Sequence, residues 1–296
     1  MKKIVVIGTT FVDIKGYPSG EYIPKGRNAG RVEIFHGGVG RNIAEDVANM
    51  GGSVCFVSTA DDSMLSDGVI ARLNGRGINT DYVARIPGGL GTWMAIFNDK
   101  GDVEANMSAR VDMTKIMNIL ENSGDEIFAD ADGILIEGDM DVPVMKKIAE
   151  LADKHKIDVY SAISNMSIAK DRIKYIDKIR CFICNRQEAS QMFGEKVEDA
   201  ETLLKHMKET GFKAMVVTLD KDGCIFADKI SGEKGQVDAA KVEVVDTTGA
   251  GDSFFSGVSY GLICGLTLAK ACELAIHVAS VVIGSEENVY LPNKEG

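Results

Sequence analysis

Residues 244–262 read VVDTTGAGDSFFSGVSYGL, two carboxylates set around a Gly-Ala-Gly where an apolar stretch hands over to a helix. Val242, Val244 and Val245 read as the end of a strand and residues 247–251 as a turn. From Asp252 a helix follows, with Phe254, Phe255, Val258 and Leu262 apolar. Gly257 and Gly261, one turn apart, leave room for a close-packed neighbour. The N–H groups at 249–252 face outward at the positive end of the helix dipole, where negative charge on a transferred group is stabilised. A carboxylate in that turn could be a plain N-cap, worth about 1 kcal/mol. Glycines that loosen the helix start argue against capping as its whole task. The functional alternative is general-base chemistry, in which Asp252 takes the proton of an alcohol while the amides hold a phosphoryl group. No G-x-x-x-x-G-K-[ST] occurs, so this is not a Walker-type phosphate loop.

A second glycine-rich stretch lies early in the chain. Residues 36–52, HGGVGRNIAEDVANMGG, open with Gly37, Gly38 and Gly40 and run into a helix with Ile43, Val47 and Met50 apolar, Ala44 and Ala48 keeping it slim. Glycines ahead of a helix let the backbone approach a ligand and aim N–H groups at it. Asn42 adds a donor and an acceptor on one side chain, which suits a polyol better than a bare anion. As a dinucleotide fingerprint the stretch fails, because its third glycine or alanine falls on Ile43. On this stretch alone, ordinary helix-entry glycines explain the pattern equally well.

Both stretches need a scaffold. Runs at 3–8, 53–59, 133–138, 158–163, 180–185 and 213–219 are short, rich in Val and Ile and without strict alternation, as strands covered on both faces are. Helical stretches lie between them, such as 143–154 with Val144, Ile148 and Leu151 on one stripe. That alternation predicts an α/β fold, a three-layer αβα sandwich on a mostly parallel sheet, with ligands at the carboxyl ends of the strands. Residues 14–35 and 90–107 break the rhythm. The first contains several glycines and prolines and then the alternating RVEIF; the second is two extended runs about a turn at 99–101. Both look antiparallel and are expected to form a small β lid beside a large domain made of 1–13, 36–89 and 108–296.

The 296 residues are 45% hydrophobic and 26% charged, the composition of a soluble globular chain of one large domain with a small appendage. A net charge of −11 disfavours nucleic acid as a partner, since that affinity rests on basic side chains neutralising phosphates. The start, MKKIVVIGTT, mimics a signal peptide only briefly before Gly8 and Asp13 intervene. No run approaches the roughly 20 apolar residues of a membrane helix, so no membrane partner is expected and the location is expected to be cytoplasmic. Cys181 and Cys184 form a C-x-x-C, but no second pair accompanies it, and residues three apart in a strand point to opposite faces. Two buried thiols is the expected outcome.

Residues 37–52 and 246–262 resemble the two signature motifs of the ribokinase-like carbohydrate kinases, the phosphofructokinase B type. Both motifs are long and in the family's order, and the element order fits essentially the whole chain. Stretch 36–52 and the long segment before it look most like pseudouridine kinases within the family. The resemblance implies transfer of phosphate from ATP to a primary hydroxyl of a sugar or nucleoside, with Mg²⁺ as cofactor and K⁺ in several members. Asp252 matches the catalytic base, and the amides of Gly249, Ala250 and Gly251 match the anion hole. Asp13, Gly37, Gly38 and Asn42 match ligands of the sugar, with Asp139 a further candidate. Asn185 and Glu188, in NRQE, match the element that organises Mg²⁺ and phosphate, partly through water. Asn185, Thr218, Gly223 and Gly251 fall on the nucleotide side, and Asp246 matches an aspartate at a monovalent-cation site. The lid covers the sugar and in some members mediates a homodimer.

Three places depart from the family pattern. Asp220 stands where glycine is usual, in a loop that approaches the nucleotide; Ala60 replaces a frequent glycine; and Ser108-Ala109-Arg110 stands where pseudouridine kinases tend to have Asn-Asp-Met. The resemblance makes pseudouridine the first single candidate acceptor, ahead of ribose, another nucleoside or a ketose phosphate. For a phosphorylated acceptor, Arg41 or Arg110 could supply a cationic clamp. Two rival classes exist. A non-catalytic sugar or nucleotide sensor has no need of Asp252 together with Asn185 and Glu188, and a nicotinamide oxidoreductase needs the fingerprint that Ile43 interrupts.

Overall fold

The structure, a computed structural model, describes residues 1–138, 140–163, 179–208 and 210–292. Asp139 lies outside the described residues. The main sheet begins with β1 (Lys3–Ile7), whose KIVVI sequence has no polar residue after Lys3 because both faces are covered. Around it lie β4 (Ser53–Ala60), β5 (Val83–Arg85), β8 (Gly133–Glu137), β9 (Val159–Ala162), β10 (Ile179–Asn185) and β11 (Ala214–Thr218), all parallel. Two antiparallel strands, β12 (Cys224–Asp228) and β13 (Lys234–Val237), finish one edge. The order is β13-β12-β11-β10-β9-β8-β1-β4-β5.

Strand periodicity splits the interior into two cores. Ile4 and Val6 of β1 join one with α1 (Val39–Asn49), α2 (Met64–Gly75), α7 (Ala250–Ile263) and α8 (Leu268–Ile283). Val5 and Ile7 join the other with α3 (Thr114–Phe128), α4 (Val142–His155), α5 (Arg186–Phe193) and α6 (Ala200–Met207). Helices therefore cover both faces, as the sequence predicts. Cys181 belongs to the first core and Cys184 to the second, each a buried thiol. Gly257 and Gly261 face Ala275 and Ala271, and a Cβ at Gly257 would come 2.6 Å from the Ala275 Cα, so α7 and α8 meet almost backbone to backbone. No helix among the described residues is long and apolar enough to cross a membrane.

A second sheet stands apart, in the order β3 (Gly30–Gly37), β2 (Phe11–Pro18), β6 (Gly91–Phe97), β7 (Val103–Ala109). The pairs β2/β3 and β6/β7 are antiparallel as expected, but they join through a parallel β2/β6 contact. Its strands also run past 14–35 and 90–107, so Asp13 and Gly37 lie within it. Asp13 and Lys15 share one face, while Val32, Ile34, Met94 and Met107 are exposed on the other.

One expected strand is absent. Val242, Val244 and Val245 are exposed in an irregular segment, where the N–H groups of Val245 and Asp246 donate to the Ile283 carbonyl at 2.8 and 3.3 Å. The main sheet ends at β13, and the valines lie beside the end of α8 rather than along that strand.

Candidate active site

Asp252 stands in the first turn of α7, behind a helix start that only glycine permits. Gly249 has φ 81°, and a Cβ there would collide with the Asn288 carbonyl oxygen. Among the described residues the N–H groups of Gly251 and Asp252 have no acceptor, while Ala250 donates weakly to the Thr247 carbonyl at 3.3 Å. Nothing lies within 4 Å of where a Gly251 Cβ would be, so this turn is open on its side-chain face.

The α1 helix brings the second motif to the same place. Asn42 Nδ2 donates to Asp252 Oδ2 at 2.6 Å across 210 residues of sequence. Asn42 Oδ1 is buried without a partner among the described residues, an acceptor left for a ligand hydroxyl. Burial pushes the Asp252 carboxyl up to about 6; the Asn42 hydrogen bond and the Arg41 charge oppose this, and the Asp13 charge adds to it.

These groups line a cavity of about 520 Å³ that holds Asp13, Gly38, Asn42, Gly249 and Asp252 together. That volume lies inside the ~300–1,000 Å³ range of small-molecule pockets. Phe11 of β2 and Trp93 of β6 add aromatic wall, and Ser108, Arg110, Asp112 and Asp141 add polar groups. The Asp13 carboxylate occupies the space a side chain at Gly37 would need. Burial raises the Asp13 carboxyl, with Lys15 and Arg41 holding it down.

Glu137, not singled out by the sequence reading, closes the cavity floor at the end of β8. It accepts from Thr9 N–H at 2.7 Å, Thr9 Oγ1 at 2.9 Å and Gly40 N–H at 3.3 Å. Its only sequence signal is a carboxylate at the carboxyl end of a wholly buried strand. Asp46, also missed, lies one turn beyond Asn42. It accepts from Ser253 Oγ at 2.9 Å, Ser256 Oγ at 3.3 Å and Tyr290 N–H at 2.6 Å.

Arg41 is not a clamp. Its guanidinium is completely buried and donates to the His36 and Gly37 carbonyls, to Glu45 and to Asn288 Oδ1. It holds the entry to α1 against the C-terminal segment. Arg110 does line the cavity.

Of the residues expected on the nucleotide side, Gly251 stays at the α7 start, while Asn185, Thr218 and Gly223 lie further along the sheet. Asn185 and Thr218 are register partners at the ends of β10 and β11, and Gly223, with φ 88°, precedes β12. Asn185 and Glu188 form a reciprocal cap on α5: Glu188 N–H donates to Asn185 Oδ1, and Asn185 N–H to Glu188 Oε2, both at 2.8 Å. Glu188 keeps one carboxylate oxygen clear of that cap, and burial raises its carboxyl against the Asn185 N–H. A single carboxylate with phosphates and water is the usual ligand set for Mg²⁺, so the residues fit the ion. Asp220 has φ 53°, a backbone state that glycine adopts more readily. Asp246 Oδ1 accepts from Thr248 N–H and Oγ1 at 2.9 and 2.8 Å, and Oδ2 lies 3.7 Å from the Lys15 ammonium.

Comparison with known proteins gives this geometry a context. Residues 1–294 match the model of the pfkB family carbohydrate kinases. A guanosine-inosine kinase of Exiguobacterium acetylicum is 32% identical over 99% of the chain and 98% of that protein. A pseudouridine kinase of Escherichia coli is 24% identical over 96% of the chain and 91% of that protein. A solved structure of Arabidopsis thaliana ribokinase with ribose and ATP superposes with a TM-score of 0.80, at 19% identity over 97% of the chain and 93% of that structure.

Proposed function

This chain belongs to the pfkB family of carbohydrate kinases, and we propose that its acceptor is a purine nucleoside, phosphorylated at the 5′-hydroxyl by ATP. One observation carries the reading: the Asn42–Asp252 contact lies in a cavity that also has an aromatic wall, Phe11 and Trp93. A bare pentose has no use for that wall, whereas a nucleobase packs on it. Arg110 brings to the same wall a donor fork of the kind that guanine O6 and N7 accept. The 32% relative named for guanosine and inosine points the same way. Pseudouridine, first from sequence, falls behind because Ser108 and Arg110, where this chain departs from that group, lie in the cavity wall.

Asp252 takes the hydroxyl proton as the nucleoside oxygen attacks the γ-phosphorus, and the bond to the β–γ bridging oxygen breaks to release ADP. Asp13, Gly38 and Asn42 hold the sugar, with the Gly37 backbone against Asp13. Amides of the 249–252 turn, including Gly249, Ala250 and Gly251, face the transferring group. ATP runs from there toward Gly223, past Asn185 and Thr218. The ends of β10 and β11 lie two and three strands from β8, roughly 10 and 14 Å at ~4.8 Å per strand, a span suited to an extended triphosphate. Glu188 and Asn185 would help to hold Mg²⁺, partly through water, and the ion would offset phosphate charge. The second sheet acts as a lid that excludes water, and through its outer face two copies form a homodimer.

The test is ADP release with Mg-ATP over guanosine, inosine, adenosine, pseudouridine, uridine, ribose and a ketose phosphate, with and without potassium. Guanosine and inosine are expected to give the highest kcat/KM. A maximum at pseudouridine overturns the purine assignment, turnover confined to ribose or the ketose phosphate overturns the nucleoside, and binding without turnover indicates a sensor. Dependence on potassium would support a monovalent-cation site, for which Asp246 is the candidate ligand.

A further inference from the structure

Lys15 belongs to none of the roles above, yet its placement is unusual. Its side chain is only 9% exposed, and a lysine is almost never buried to that degree without a partner. The ammonium lies 4.8 Å from the centroid of the Phe35 ring and 3.7 Å from Asp246 Oδ2. Lys15 sits on β2, two residues from Asp13 and on the same face, and its charge holds the Asp13 carboxyl down. Asp246 directly precedes the 247–252 turn, and its other oxygen is bonded to Thr248 in that turn. One buried cation thus faces the carboxylate that anchors the phosphate-facing turn, from the strand that carries an acceptor-binding carboxylate.

We propose that Lys15 is a positioning residue that tethers the 247–252 turn to β2, so that the acceptor and the anion-holding amides are set in one geometry. The role in turnover rests on the kinase reading; the tether itself does not. The two ends are unequal: the buried ammonium needs Asp246 to offset its desolvation, whereas Asp246, 39% exposed and already bonded to Thr248, gains from the ammonium a direction for its second oxygen. A misplacement of about 1 Å between acceptor and phosphoryl site is enough to cost roughly 100-fold in rate.

The experiment compares wild type, Lys15→Met, Lys15→Arg, Asp246→Asn and Lys15→Met/Asp246→Asn. Methionine keeps the apolar stem without the charge, and asparagine keeps the acceptor for Thr248. In the ligand-free protein, amide hydrogen exchange in peptides spanning 246–254 is expected to accelerate in Lys15→Met and Asp246→Asn. In Lys15→Arg, and in peptides spanning 214–228, it is expected to stay unchanged. On whichever acceptor the wild type phosphorylates, kcat is expected to fall roughly 10- to 100-fold in Lys15→Met and in Asp246→Asn. The double variant is expected to fall no further than the worse single, and Lys15→Arg to recover most of the loss. Unchanged exchange at 246–254, unchanged kcat, or losses that multiply in the double variant each overturn the tether. Should Lys15→Met fail to fold, Asp246→Asn decides alone by the same two readouts. A wild type that phosphorylates nothing would refute the kinase reading, and the exchange result would still decide the tether.

Discussion

Asp252 is held between opposed influences: burial favours its neutral form, while the Asn42 amide and the Arg41 charge favour the carboxylate. A general base works deprotonated, so with its carboxyl at about 6 activity should be full above that pH and fall as pH drops through it. The acid limb of kcat/KM is expected near pH 6 in the free enzyme. Stability runs the other way. The folded value lies above the unfolded ~3.9, so the folded state prefers the proton and loses stability as pH rises from about 4 to 6. Asp252→Asn should therefore lower kcat by roughly 10²- to 10⁴-fold while its thermal midpoint at pH 7.5 stays level or rises. Calorimetry beside steady-state kinetics checks both. Near-normal turnover in that variant would remove Asp252 from the chemistry.

On α1, two rungs one turn apart carry the coupling to α7: Asn42 meets Asp252, and Asp46 meets Ser253 and Ser256. Burial pushes the Asp46 carboxyl up to about 8, against the hydrogen bonds from Tyr290 N–H and the two serines. Because the folded value is raised, the stability that bound proton confers is complete below about pH 4 and drains away as pH rises to about 8. Asp46→Asn, which keeps the shape and removes the charge, should flatten the fall of unfolding free energy between pH 6 and 8, a fall limited to about 1.4 kcal/mol per pH unit. Urea unfolding at pH 6, 7 and 8 measures it, and equal slopes in both proteins would rule out Asp46 as the group responsible. The α1 helix was legible because its signals are local: three glycines, then Ile43 and Val47 four apart. The partners of Asp46 were not, since the Tyr290 amide arrives from 244 residues away. Long-range information is also what the errors lacked. Arg41 was visible as a cation, but the carbonyls and acids that surround it are set by tertiary packing. Val242, Val244 and Val245 had strand-like types, but the Val245 and Asp246 amides are taken by the Ile283 carbonyl at the end of α8, a long-range partner.

For the whole molecule, the alternation in RVEIF gave a strand with two faces and could not say which face is covered. The register settles it: Ile14 pairs Ile34 and Met94, Met94 pairs Met107, and Gly16 pairs Val32, so these residues form one apolar face turned away from the cavity. A contiguous exposed apolar sheet face marks a surface that something covers. A second copy is the occupant the proposed homodimer commits to, because a twofold interface pairs the same patch with itself. Size sets a further condition. Four strands of about seven residues span roughly 19 by 23 Å, about 440 Å², short of the ~800 Å² per partner in a standard interface. The contact must therefore extend onto the loop at 22–29, whose Tyr22, Gly26 and Asn28 flank a groove on this face with Ile14, Val32 and Met94 and which exposes Ile23. Sedimentation velocity is expected to find about twice 31.8 kDa in the wild type. Val32→Lys/Ile34→Lys should yield a folded monomer, and Ile23→Lys alone a dimer that dissociates at higher concentration than the wild type. A wild type that stays monomeric at tens of micromolar, or a lysine pair that leaves the dimer intact, would show that this face has another use.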